Sequence, residues 1–424
     1  MSKIEVTPGQ FSLAAQKVSA KVPVVMGLFA LVVLIGFGVF GSSKTVAFQL
    51  TEPTATFVLS DFVVASSTLA FTIGALLLVI TALAVARVVR RKAVPSWWSI
   101  IFGVLAIIAL LGWLAAGNQV PVAFILGNAI LLAVPIILGA MGGVMSERVG
   151  VVNIAIEGQL LTGAFVAAVV ASLTHNLWIG LIVAMIAAAA LSMVLASLAI
   201  KYLVEQIIIG VLLNVLVLGV TNFLYAQWLS QDGEHVNFPG TFDIVAIPLL
   251  SQIPILGPSI FTNRVIVFLT FIIVPVLWYI LFRTRLGLRA RAVGEHPLAA
   301  DTVGINVART RFWWVTLGGA VAGMGGAALT IGNVGAFGQD MSGGQGFIAL
   351  AVVILGRWQP LYVSASALLF GFTIILRIWA NQVSPGIPVD FITMVPYLVT
   401  LIAVAGFAGR VRAPAADGQP YVKG

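Results

Sequence analysis

Apolar residues run continuously along most of this chain, broken by short polar connections. Such runs lie at Pro23–Phe40, 62–86, 97–116, 121–140, 150–173, 177–200, 206–229, 264–282, 312–332, 361–381 and 389–408. Each approaches the roughly 20 residues that an α-helix needs to cross the hydrocarbon core of a bilayer. The strands of a membrane barrel would instead alternate apolar and polar positions over about ten residues. Pro23–Phe40 exceeds a usual signal-peptide apolar region and is followed by no A-x-A site, so it reads as an uncleaved first span. A shorter apolar piece at 346–356 reads either as a half-helix or as the end of a tilted span. The pattern predicts an all-α polytopic membrane protein with about 10–12 transmembrane helices.

Composition narrows this further. Of 424 residues, 60% are hydrophobic and 8% charged. Soluble domains carry about 25% charge, so this chain could neither solvate a soluble surface nor remain disordered. Charge placement sets the orientation. With the N-terminus inside and the short piece crossing, nineteen of the 22 Lys and Arg residues fall on cytoplasmic sides; the exceptions are Lys44, Arg264 and Arg377. The outer connections hold Glu52, Asp61, Asp232, Glu234, Asp243, Asp340 and Asp390. Both termini are therefore expected in the cytoplasm, and the net charge of +8 belongs to inner loops rather than to a nucleic-acid surface.

Cysteine is absent and the three histidines lie far apart, so neither a thiolate site nor a metal site is expected. No GxxxxGK[ST] or catalytic spacing occurs, so the chain is not read as an enzyme. Small-residue spacings such as Gly139/Gly143 and Gly319/Gly323 predict close helix packing. The outer stretch Ile244–Ile260 is apolar but broken by prolines; it reads as a segment at the membrane interface, as a surface covered by a partner, or as a packed external cap.

Polar residues inside apolar runs are costly in lipid and mark candidate sites. Asn153 and Glu157 are four residues apart and would share a helix face, lining a hydrophilic path. The alternative is a structural role for Glu157, as a cap or as a partner of Arg148. Glu205 is expected to pair with Lys201 at the membrane edge, and Asn214 to line a path or to bond between helices. The glycines of Ser342–Gly346, with Gln345, would leave free backbone N–H groups if they open a broken helix, and these suit a polar ligand. A plain external turn is the alternative. In the inner loop Arg283–Arg311, Pro297 and Gly304 bracket a seven-residue helix, Pro297–Val303. It suits a plug for a socket on another protein, or a turn binding lipid headgroups.

Four segments together resemble one family: SERVGVVNIAIEGQLLTGAF, VEQIIIGVLLN, GLRARAVGEHPLAADTVGINVARTR and SGGQGFIALAVVILGRWQP. They resemble the membrane permeases of bacterial ABC importers for nucleosides and simple sugars, of the guanosine-type nucleoside group, which are related to branched-chain amino-acid permeases. The resemblance divides the chain into an extension, 1–119, with about three transmembrane helices, a permease core, 120–412, and a cytoplasmic tail, 413–424. It implies an ABC permease fold with broken helices and a cytoplasmic coupling helix. Arg289, Arg291, Glu295, His296, Pro297, Ala299, Ala300 and Gly304 would dock this helix on an ATPase with two nucleotide-binding halves, where ATP and Mg would be held. A second permease chain and a substrate-binding lipoprotein are the other implied partners. Asn153, Glu157, Asn214 and Gln345 would line a nucleoside path through the bacterial plasma membrane. A permease for simple sugars and a proton-coupled secondary transporter using Glu157 are the rival readings. The family more often shows Asn-Glu or Asn-Gln where this chain has Glu205-Gln206.

Overall fold

The computed structural model describes residues 20–51, 57–383, 394 and 412–422. The expected span at 389–408 lies outside them, apart from Met394. Among the described residues, ten helices are long and apolar enough to cross a membrane. The chain is a multi-pass membrane protein. It divides into two compact units, with boundaries at Gln49/Leu50, Leu59/Ser60 and Val120/Pro121.

The first unit holds α1 (Lys21–Leu31, continued with wider turns to Val39), α2 (Ser66–Val89) and α3 (Ser96–Leu114). Strands β1 (Thr45–Gln49), β2 (Phe62–Ala65) and β3 (Gln119–Pro121) form a small sheet in the order β2-β1-β3. The antiparallel pair β1–β2 aligns Thr45 with Ala65. The buried Ser66 hydroxyl donates to the carbonyl of Gly112 at 2.8 Å, satisfying a polar group that lipid could not.

The second unit holds α4 (Val122–Glu147), α5 (Ile156–Thr174), α6 (Leu177–Ala196), α7 (Gln206–Leu224), the short α8 (Gly233–Val236) and α9 (Val265–Arg283). Two short helices follow, α10 (Arg285–Glu295) and α11 (Pro297–Thr302), and then α12 (Val307–Leu329), α13 (Gln345–Leu355) and α14 (Pro360–Val383). The loop between α8 and α9 pairs β4 (Ile244–Ala246) with β5 (Thr262–Arg264). It packs back through Ser259, whose hydroxyl donates to the Ala123 carbonyl, yet Ile244 and Leu249 stay exposed.

The core is centred on α12, which packs against α4, α5 and α6. The reason is its glycines. A Cβ at Gly163 of α5 would lie 2.2 Å from the Gly323 carbonyl oxygen, and one at Gly319 would lie 1.8 Å from Ser192 Oγ. A Cβ at Gly142 of α4 would fall 2.5 Å from the Gly318 carbonyl oxygen. Backbones meet directly, which is how helices gain packing energy where lipid offers no hydrophobic contrast.

Several boundaries depart from the sequence reading, and the short apolar piece takes one of the two forms that reading offered. α5 begins at Ile156 rather than near 150, because Val151–Ala155 forms a buried non-helical connection after Gly150, whose φ is +83°. The inner loop holds two helices where the sequence predicts one: α10 is additional, and α11 ends at Thr302 with six residues instead of seven. The short apolar piece is a half-helix, since α13 has eleven residues. At 1.5 Å per residue it is about 16 Å long, roughly half the hydrocarbon thickness.

A paired substitution checks the packing. Gly163→Ala should destabilise the protein by about 1–3 kcal/mol through overpacking. Gly219→Ala, where a Cβ meets nothing within 4 Å, should be neutral or stabilising by up to about 1 kcal/mol. Thermal unfolding in detergent reads both.

Candidate functional site

The centre of the site is the start of α13. Its preceding turn contains Gly343 and Gly344, both with positive φ (+52° and +83°), which glycine adopts without steric cost. This turn aims the backbone N–H groups of Gly344 and Gly346 at the Glu157 carboxylate, at 2.8 and 2.6 Å. The Ser342 hydroxyl donates to the same carboxylate at 2.6 Å. Glu157 lies in the first turn of α5 and is buried. A carboxylate beside a helix N-terminus satisfies donors that a broken helix leaves open and complements the helix dipole. The N–H groups expected to be free for a ligand are thus occupied from within. Of the two structural roles considered for Glu157, capping is the one realised; Arg148 instead donates to the carbonyls of Trp358 and Arg357.

Asn153 does not share a helix face with Glu157, because it sits in the connection before α5. It is fully buried and exchanges hydrogen bonds with Gln159 at 3.1 and 3.2 Å. Gln159 also donates to Ser192 of α6 at 2.8 Å. Asn214 accepts from the Gly158 amide and donates to the Ile154 carbonyl, both at 2.8 Å, clamping the start of α5. Gln206 accepts from the Val152 amide. Glu205 is a cap rather than an ion-pair partner: it accepts from the Ile208 amide at 2.8 Å, while Lys201 lies over the Tyr202 ring. Asn153, Asn214 and Gln206 therefore hold the backbone of the break in place, and Glu157 holds the facing helix.

Gln345 is different. Its Oε1 is buried without a hydrogen-bond partner among the described residues. It lines a cavity of about 190 Å³ with Ser342, Ile348, Ile374 and Arg377. Arg377 is conspicuous in the sequence only as an exception to the charge asymmetry.

Between α9 and α12, α10 and α11 divide the expected docking residues. Arg289, Glu295, His296, Ala299 and Gly304 are exposed, and Pro297 is half-buried as the first helical residue. Ala300 is buried in the protein interior. The Arg291 guanidinium lies 5.1 Å from the centre of the Phe282 ring, with Arg148 on the same ring at 5.5 Å. Burial pushes the Arg148 pKa below its usual value. Leu298 and Val303, which carry no docking signal in the sequence, are 69% and 75% exposed. Apolar side chains so far in the open at the end of a polar loop suit a protein surface.

The tail is not a loose appendage. The Ala416 amide donates to the Gly294 carbonyl at 2.9 Å, and the Ala415 amide to Glu295 at 3.2 Å. Arg311 of α12, 2% exposed, donates to the carbonyls of Val149 and Gln419 at 3.0 and 2.9 Å. One side chain thus ties the helical core, the α4–α5 connection and the tail. Beside it, burial pushes the Asp417 carboxyl up to about 7, despite the opposing Arg311 charge. Glu147 receives the indole N–H of Trp358 and faces the same cluster.

Residues 125–404 match the family described as branched-chain amino acid transport system / permease component. The chain belongs to this permease family. It is 39% identical over 312 residues to the guanosine ABC transporter permease protein NupQ of Bacillus subtilis, covering 70% of this chain and 95% of that one. It is 37% identical over 309 residues to the nucleoside ABC transporter permease protein NupC of Lactococcus lactis, covering 70% and 96%. The guanosine ABC transporter permease protein NupP of Bacillus subtilis is 25% identical over 300 residues, covering 68% and 83%. No solved structure matches the permease.

Two outcomes follow for the permease. Glu157→Ala leaves the Gly344 and Gly346 donors and Ser342 unsatisfied, at a cost of about 1–3 kcal/mol. Proteolysis of the turn before α13 should accelerate, and Glu157→Gln should fall between the two. The tail carries a pH dependence. The Asp417 pKa is higher docked than free, so docking is most favourable below about 4 and weakens as pH rises toward 7. Hydrogen exchange at the Ala416 amide, corrected for intrinsic rates, should show protection falling over that window, and Asp417→Asn should flatten the profile.

Proposed function

We infer that this permease forms the membrane path of an ATP-driven nucleoside importer. The carrying observation is its similarity, over nearly the full length of each relative, to permeases named for guanosine and nucleosides. The polar interior agrees in chemistry. It is built of neutral amides with few charges, which suits a neutral, amphipathic solute.

ATP and Mg are held on a separate ATPase with two nucleotide-binding halves. α11 docks on that subunit through the exposed Leu298 and Val303, with Glu295, His296, Ala299 and Gly304 around them. The tail and Arg311 join this surface to α12 and to the α4–α5 connection. Rocking of the docked ATPase would therefore reach Asn153 and Glu157 through hydrogen-bonded backbone. A second permease chain completes the path. Bacillus subtilis carries two permease proteins of guanosine transport that are both similar to this chain, which supports such a pair. A substrate-binding lipoprotein delivers the nucleoside to the outer face, and both termini lie in the cytoplasm.

Proteoliposomes holding the chain with its ATPase, sister permease and binding protein test this reading. Vanadate should stop nucleoside uptake, and an uncoupler should leave it intact. The reverse pattern would establish the proton-coupled alternative. Leu298→Asp, on the surface, should lower uptake at least about tenfold without changing thermal stability. Unchanged uptake and ATPase stimulation in that variant would sink the docking assignment.

A further inference from the structure

The cavity above α13 contains two polar groups that the rest of the site does not use. Arg377 is one of the few basic residues within a span of the described chain, on α14. It lies 17 residues beyond Pro360, about 25 Å along the helix axis. No hydrogen bond or ion pair engages its guanidinium among the described residues, and it lines the cavity. The second group is Gln345 Oε1, buried and unpaired at the same cavity. Ser342 also borders it, but its hydroxyl proton is already committed to Glu157. Ile348 and Ile374 supply apolar walls.

A cation within a membrane span needs acceptors, and a buried amide oxygen needs a donor. A guanidinium can only donate, and its fork favours two acceptors side by side. Among common nucleobases, the 6-oxopurines place O6 and N7 next to each other. Their N1–H lies on the other side of O6, where an amide oxygen can accept it. Adenine puts an amino group where O6 would be, so two donors would face one another. Cytosine shows an amino group as well, and uracil has no N7.

We propose that Arg377 and Gln345 read the base of the translocated nucleoside, and that the cavity selects 6-oxopurine nucleosides over 6-aminopurine ones. Arg377 donates to O6 and N7, Gln345 Oε1 accepts from N1–H, and Ile348 and Ile374 pack on the faces of the ring. This rests on the nucleoside reading above and adds the base class and the two residues that set it. Neither residue belongs to the capping network of Glu157 or to the tail.

The test compares inosine with adenosine, which differ at position 6 of the purine. Uptake of each is measured in proteoliposomes of the complete transporter. The binding protein's own preference, determined separately, is divided out. The wild type should favour inosine by about tenfold, the discrimination expected of one good guanidinium–base pair. Arg377→Gln should bring the ratio close to one while adenosine uptake persists. Gln345→Met should lower inosine uptake more than adenosine uptake. An inosine preference that survives Arg377→Gln overturns the proposal. Where Arg377→Gln stops both, nucleoside-induced thermal shifts of the assembled transporter decide. A wild-type preference lost in the variant supports the proposal, and an equal preference in both overturns it. A wild type that moves no nucleoside removes the underlying nucleoside reading itself, whereas uptake with an unaltered ratio removes only the base-reading pair.

Discussion

A helix that begins part-way across a membrane must satisfy its first backbone N–H groups without water. α13 meets this demand with one carboxylate. Glu157 takes two amides and a hydroxyl from the turn before α13, and its own position is fixed by the start of α5. The neighbouring polar contacts surround that one. The α4–α5 connection must stay unwound to bring Glu157 forward. Asn153, Gln159, Gln206 and Asn214 then have to satisfy the freed backbone and each other. The cavity lies beyond the same turn.

The inner face answers a different requirement. α10, α11 and the α4–α5 connection bury an apolar cluster that includes Val149, Val151, Ala290, Val293 and Ala300, and hydrogen bonds and arginine stacking join the tail and neighbouring segments to it. Arg311 and Arg148 act here as buried connectors rather than as surface charge. Simple counting of basic residues places both on the cytoplasmic side, but it assigns them to the loops. Their aliphatic stems and multiple donors make arginine suited to this use.

Most spans are legible in the sequence because a run of about 20 apolar residues is the length and composition that a bilayer crossing demands, and a soluble helix rarely has either. The glycine spacings also report close packing correctly, since only a missing side chain allows backbones to meet as Gly163 and Gly323 do. The misreadings share a cause. Asn153 and Glu157 are four apart, but helical geometry does not hold across a segment that the buried connection interrupts. The glycines before Gln345 suggest open donors, because the residue that fills them is more than 180 positions away in the chain. Arg311 and Asp417 carry no local signal, as their roles exist only once distant segments come together. Arg377 does carry one: it is a basic residue on the wrong side of the charge pattern.

The tail has a consequence for how the molecule is made. Residues 412–422 follow every described helix in the chain, so the ribosome synthesises them after those helices. Until they emerge, Gly294, Glu295 and Arg311 lack the bonds that the tail supplies. A nascent or truncated chain would display its spans without the bonds that the tail supplies. Closure by the tail thus comes only after every described helix has been made.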